Sequence, residues 1–97
     1  MEEVLSITEV NFAPVKESRG HIGFASCVLN NMFFLGDIAI FIRKDGTLRF
    51  AYPDKKVGTK IFNIYYPINQ EAGKAVQKAI MVELEKLYPN RFILDEN

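Results

Sequence analysis

The chain holds one histidine and one cysteine, His21 and Cys27, six residues apart. A thiol activated by an imidazole needs the two within hydrogen-bonding distance. The intervening residues alternate as a strand does. At about 3.3 Å per residue, that puts the two Cα atoms roughly 20 Å apart. Within one chain they form no catalytic pair, so Cys27 reads as a small packed residue and His21 as an exposed polar residue beside a turn. Asp37 is the oddest carboxylate, because it interrupts an apolar strand and has no second carboxylate nearby in sequence. An ion pair with a base on a neighbouring strand, or a hydrogen bond to backbone at a β-bulge, accounts for it. Glu83 falls inside the apolar arc of a helix, where a structural ion pair is expected. No glycine-rich loop stands between a strand and a helix, so no phosphate cradle is visible. Catalysis is not expected, and no cofactor, metal or small-molecule substrate is implied.

Lysine supplies the remaining chemistry. Lys55 and Lys56 follow Tyr52-Pro53, with Tyr65 and Tyr66 across the next loop, and Lys74 and Lys78 stand four apart in a helical segment. Lysines beside exposed aromatics suit a phosphate backbone and its bases, although strand tyrosines are more often half-buried packing residues. The chain of 97 residues carries 12 basic and 12 acidic side chains, so no global field draws it to nucleic acid or membrane. The distribution is uneven. Residues 16–60 hold eight bases and four acids, a local excess of +4, which either forms a basic surface or merely solvates loops and strand edges.

The elements that must carry these residues are legible in part. One domain over 1–97 fits the length. A strand is expected over Ser6–Phe12, with Pro14 ending it or marking an edge. Lys16–Gly20 reads as a turn and His21–Leu29 as a strand with a small side of Gly23, Ala25 and Cys27. Asn30-Asn31 suits a two-residue hairpin turn. Met32–Arg43 is apolar on both faces and calls for cover on both. One helix does not readily supply that, and a second subunit could. Lys44-Asp45-Gly46 is a hairpin signal leading to a strand at Leu48–Tyr52. Lys55–Thr59 reads as a loop and Lys60–Tyr65 as a fifth strand. Asn69 caps a helix over Gln70–Tyr88, whose Ala72, Val76, Ala79, Ile80, Leu84 and Leu87 recur at helical spacing. Arg91–Leu94, within a flexible or docking tail over 91–97, packs on the body or on a neighbour. The expected fold is therefore α+β, an antiparallel sheet of four to five strands with one C-terminal helix packed on it.

A single cysteine excludes an internal disulfide and suits a reducing compartment. Glu2 and Glu3 replace the basic start of a signal peptide. The run Met32–Ile42 is too short to span a bilayer and contains Asp37. A cytoplasmic protein is expected, with no membrane association.

The order strand, Tyr52-Pro53-Asp54-Lys55-Lys56, loop, strand, Tyr66-Pro67-Ile68-Asn69, helix resembles the SpoVG family of stage V sporulation proteins and septation regulators. Ile7-Thr8-Glu9-Val10, Gly20, Ala25-Ser26, Asp37-Ile38 and Gly73-Lys74 extend the likeness over roughly residues 7–88. The resemblance implies a small cytosolic bacterial protein with an α+β fold, a homodimer built around strands, and binding of DNA or RNA in the regulation of septation, cell division or gene expression. It places Lys55-Lys56 where the family has a Lys-Arg pair, and Lys74 at the family's helix lysine. The chain departs from the pattern at Asn11–Pro14 and at Ala39, where the family often has arginine. Asp54 stands for its serine and Tyr66 for its histidine, and the loop after Lys56 is shorter. Two readings follow: a dimeric nucleic-acid-binding regulator using Lys55, Lys56, Lys74 and Lys78, or a dimeric protein-interaction module on the same fold.

Overall fold

A computed structural model describes residues 5–92. The chain runs β1 (Ile7–Ser18), β2 (His21–Leu29), β3 (Phe33–Ile42), β4 (Leu48–Ala51), β5 (Asp54–Val57), β6 (Lys60–Asn63) and α1 (Gln70–Leu87). Strands β1 to β4 form an antiparallel meander in sequence order, and β5 and β6 pair only with each other. The α+β architecture expected from the sequence is present.

Strand β1 runs six residues past its expected end and carries Pro14 within it, opposite Gly23. As an edge strand, β1 has one side that needs no ladder donor, so proline is tolerated there. The turn expected over Lys16–Gly20 shrinks to Arg19-Gly20, both at positive φ (54° and 86°). Asn30 and Asn31 also take positive φ, and the Met32 N–H donates to the Leu29 carbonyl at 2.9 Å. The expected asparagine turn is formed, with Met32 added to the loop before Phe33 pairs with Leu29.

Helix α1 begins where the cap predicts: the Asn69 side chain accepts from the Ala72 N–H at 2.8 Å. Its apolar stripe buries Val76, Ile80 and Leu84 as expected, and also Met81. Leu87, at the end of the stripe, is exposed. These side chains meet Ala25, Cys27, Ile38, Ile40 and Leu48 in one core. The helix thus lies over the small side of β2, where Gly23, Ala25 and Cys27 leave room for it. Phe92 packs edge-on against Tyr88, with ring centroids 6.1 Å apart, and onto the core. Ile93 and Leu94, the rest of the expected docking segment, lie outside the described residues.

Two bulges flank the middle of β2. Glu9 and Val10 together oppose Cys27, and Gly36 and Asp37 together oppose Ser26. Glu9 and Asp37 both take positive φ, 49° and 57°. The bulge expected at Asp37 is present, but its side chain is exposed and makes no hydrogen bond to backbone among the described residues.

Candidate nucleic-acid interface

The stretch from Tyr52 to Tyr66 departs most from expectation. Lys55 and Lys56 do not sit in a loop; they are the middle of β5, and only Gly58 and Thr59 turn the chain into β6. Gly58, at φ +63°, takes the first position of that turn, where glycine adopts the required backbone without strain. The expected fifth strand does not join the main sheet. It folds back on β5 as a two-stranded ribbon.

Two tyrosines hold the ribbon's foot. Tyr52 enters it and Tyr65 leaves it, their rings packed edge-on with centroids 5.8 Å apart. Both pack against the core. The Tyr65 hydroxyl donates to the Gly36 carbonyl at 2.7 Å, so the β3 bulge presents an acceptor to the ribbon's anchor. The Ile64 N–H closes the foot by donating to the Pro53 carbonyl at 2.8 Å. These two tyrosines are packing residues, and only Tyr66 of the three near the foot is exposed. An apolar cleft of about 230 Å³ opens beside them, lined by Leu35, Tyr52, Tyr65, Pro67 and Val76 among others, without a charged side chain.

The Tyr52 hydroxyl is buried with no hydrogen-bond partner among the described residues. Burial pushes its ionisation up to about 12, and burial also raises that of Tyr65. An unfolded phenol ionises near pH 10. The stability linked to Tyr52 is therefore complete below about pH 10 and declines as pH climbs toward 12, because the unfolded chain loses its proton first. Tyr52→Phe removes both the orphaned hydroxyl and this alkaline loss. We expect it to raise stability by about 1 kcal/mol at neutral pH, or about 4–8 °C in melting temperature, with a larger gain at pH 11. Thermal melts at the two pH values check this, and a variant that melts below the parent at pH 7 contradicts it.

The ribbon's register decides which side chains share a surface. Opposed residues of an antiparallel pair project from the same face. Lys55 pairs with Phe62 and Val57 with Lys60, while Asp54 pairs with Asn63 and Lys56 with Ile61. Lys55 and Lys56, adjacent in sequence, therefore point to opposite faces. Lys60 and Phe62, which the sequence reading did not single out, join Lys55. Their signal was the alternation Lys55, Val57 and Lys60, Phe62 on either side of Gly58. All of these side chains are exposed. Lys74 and Lys78 are exposed on α1. The four lysines expected to act together thus occupy three surfaces: the two faces of the ribbon and the outer side of the helix.

The other candidates fall to structural roles. The His21 ring is half-buried, not exposed as its neighbouring turn suggested. It lies between Phe24 and Phe41, at centroid distances of 4.8 and 4.9 Å, with Nε2 3.1 Å from the Gly23 carbonyl. The Arg49 guanidinium sits 4.2 Å over the other aromatic of this row, Phe41. Cys27 is fully buried, and burial pushes its thiol ionisation up, the reverse of what a nucleophile needs. Glu83 is half-buried in a shallow groove shared with Lys86 and Glu9. The ion pair expected for it is not formed among the described residues. Among those residues no three His, Cys, Asp or Glu side chains gather as a metal site, and no helix is long and apolar enough to cross a membrane.

The order of ribbon, capped helix and paired lysines carries the likeness drawn from the sequence. A model of the SpoVG family matches residues 5–86. The chain belongs to the SpoVG family. The SpoVG match runs from the residues before β1 almost to the end of α1, so the ribbon lies inside it. Two strains of Clostridium perfringens each have a protein named "Putative septation protein SpoVG" that is 31% identical to this chain over 84 residues. The alignment takes in 86% of this chain and 92% of each relative. Nothing in the SpoVG match names a catalytic activity.

Proposed function

We propose that this SpoVG protein is a cytoplasmic regulator of septation or sporulation that works as a homodimer and binds DNA or RNA through basic residues on the β5–β6 ribbon and α1. The observation that carries this reading is the ribbon itself. It offers Lys55, Lys56 and Lys60 against the single acid Asp54 on an exposed strand pair. A protein of zero net charge concentrates positive charge there, and phosphate contacts supply most non-specific nucleic-acid affinity. Lys74 and Lys78 are the further contacts. The dimer is supported by apolar surface that the single chain leaves open, above all Met32, Phe33 and Phe34 beside the β2–β3 turn. That same patch favours the second reading, a dimeric protein-interaction module whose lysines are incidental.

Titration of labelled mixed-sequence nucleic acid at two salt concentrations tests the first reading. Binding is expected to be weak, salt-sensitive and loosely sequence-selective, because lysine contacts phosphate and reads bases poorly. The double variant Lys55→Ala, Lys56→Ala should lose affinity about equally for all sequences and flatten the salt slope by roughly one unit per lost contact. Light scattering on the same samples should give twice the chain mass. No binding at low salt hands the site to the interaction-module reading, and a monomer mass at micromolar concentration removes the dimer from both.

A further inference from the structure

The two faces of the ribbon differ in a way that selects a ligand. One carries Lys55, Val57, Lys60 and Phe62, and the other Asp54, Lys56, Ile61 and Asn63. The first face is positive and contains the aromatic ring; the ribbon's only acid is on the second. Phe62 is 53% exposed and Val57 55% exposed, so neither is needed by the core. Opposed Cβ atoms lie about 4.5–5.5 Å apart, and next-but-one neighbours on a strand about 7 Å. Lys55 therefore flanks the Phe62 ring from across the ribbon, and Lys60 flanks it along its own strand.

We propose that this face is a platform for single-stranded nucleic acid, with one base stacked on Phe62 and the adjoining phosphates held by Lys55 and Lys60. The proposal rests on the nucleic-acid reading above and narrows it to one face, one strand state and two further residues. A duplex hides the faces of its bases and shows only their edges, so the Phe62 ring has nothing to stack on there. An exposed ring between two ammonium groups has its use where bases are unstacked, since every base offers a π-face and a neighbouring phosphate. A second copy of the chain is a poorer occupant. Two-fold pairing of this face with itself would set Lys55 and Lys60 against their own images, with no acid on it to offset them.

The test is fluorescence anisotropy with a labelled 20-nucleotide oligothymidine and with a 20-base-pair duplex at low salt. Phe62→Ala, Lys60→Ala and Ile61→Ala are compared with the parent, and a thermal melt verifies the fold of each. The parent should bind the single strand about tenfold more tightly than the duplex. Phe62→Ala should weaken single-strand binding about tenfold, the scale of one lost stacking contact, and leave duplex binding unchanged. Lys60→Ala should reduce the single-strand salt slope by about 0.7. Ile61→Ala, on the other face, should bind like the parent. Equal or tighter duplex binding overturns the proposal while leaving the broader reading intact, and so does single-strand binding indifferent to both Phe62 and Lys60. Phe62→Ala that halves the mass by light scattering and spares single-strand affinity overturns it too, and gives the face to a second copy. Failure of both strand forms to bind removes this proposal together with the reading beneath it.

Discussion

Ile80→Asp is expected to abolish the cooperative thermal melt. Ile80 is fully buried in the centre of the helix stripe, against Ala25, Cys27, Ile38 and Ile40. Among the described residues, the buried core includes no polar or charged side chain that could receive a carboxylate. A carboxyl group with no hydrogen-bond partner there costs several kcal/mol even when it takes up a proton to shed its charge, and the deleted branched side chain removes its own burial. A chain of this size has about 5–15 kcal/mol to lose. Circular dichroism should show an unfolded or molten chain, and a sharp melt within a few degrees of the parent would refute the packing of α1 on the sheet.

Gly23→Ala should be the next most damaging change, although it adds a single methyl group. Gly23 is buried in β2 opposite Pro14. A Cβ at this position would lie 2.5 Å from the Ala13 carbonyl oxygen and 2.5 Å from the Phe12 ring. The ring could turn, but the carbonyl belongs to the neighbouring strand, so β1 must move away from β2. Forcing such a shift costs about 2–3 kcal/mol, or roughly 10–20 °C in melting temperature for a domain of this length. Urea unfolding should give a lower midpoint at an unchanged slope. Gly36→Ala serves as the comparison, because the atoms nearest its Cβ belong to the exposed Phe34 ring, the first 2.7 Å away, and that ring can swing aside. Equal midpoints for Gly23→Ala and the parent would show that β1 is not held as closely as described.

The sequence announced the helix because several signals agreed over one segment. Asn69 offered a cap, and Val76, Ile80 and Leu84 repeated at helical spacing. The inner strands were legible for the same reason, since apolar side chains alternated between asparagine or glycine turns. The strand expected over Lys60–Tyr65 is present as β6, but its partner β5 was missed because β5 is not built from typical strand residues. Asp54-Lys55-Lys56 is polar, lysine is depleted in strands, and the pair reads as a solvated loop unless the backbone is known to be extended. That one misreading propagated into the site. Lys55 and Lys56 looked like a patch because they are neighbours in sequence, whereas a strand sends neighbours to opposite sides. It takes the register across Gly58 to put Lys60 and Phe62 beside Lys55. The course of β1 beyond Pro14 was hidden for a different reason: only the strand's place at the sheet edge makes proline acceptable there.

The paired bulges beside β2 bear on how the chain finds its alignment. In a plain ladder, sliding one strand by two residues restores the inward and outward pattern, so many near-equivalent pairings compete in the unfolded ensemble. Here the extra residue on each side of Ser26 and Cys27 breaks that equivalence. Glu9 and Asp37 are the residues that take the left-handed backbone, and only one alignment of β1 and one of β3 puts both beside the centre of β2. A strand slipped by two would force that conformation onto residues such as Ile7 or Leu35, whose bulky side chains resist it. The bulges thereby act as an indexing mark that sets one alignment of the meander apart from its slipped neighbours.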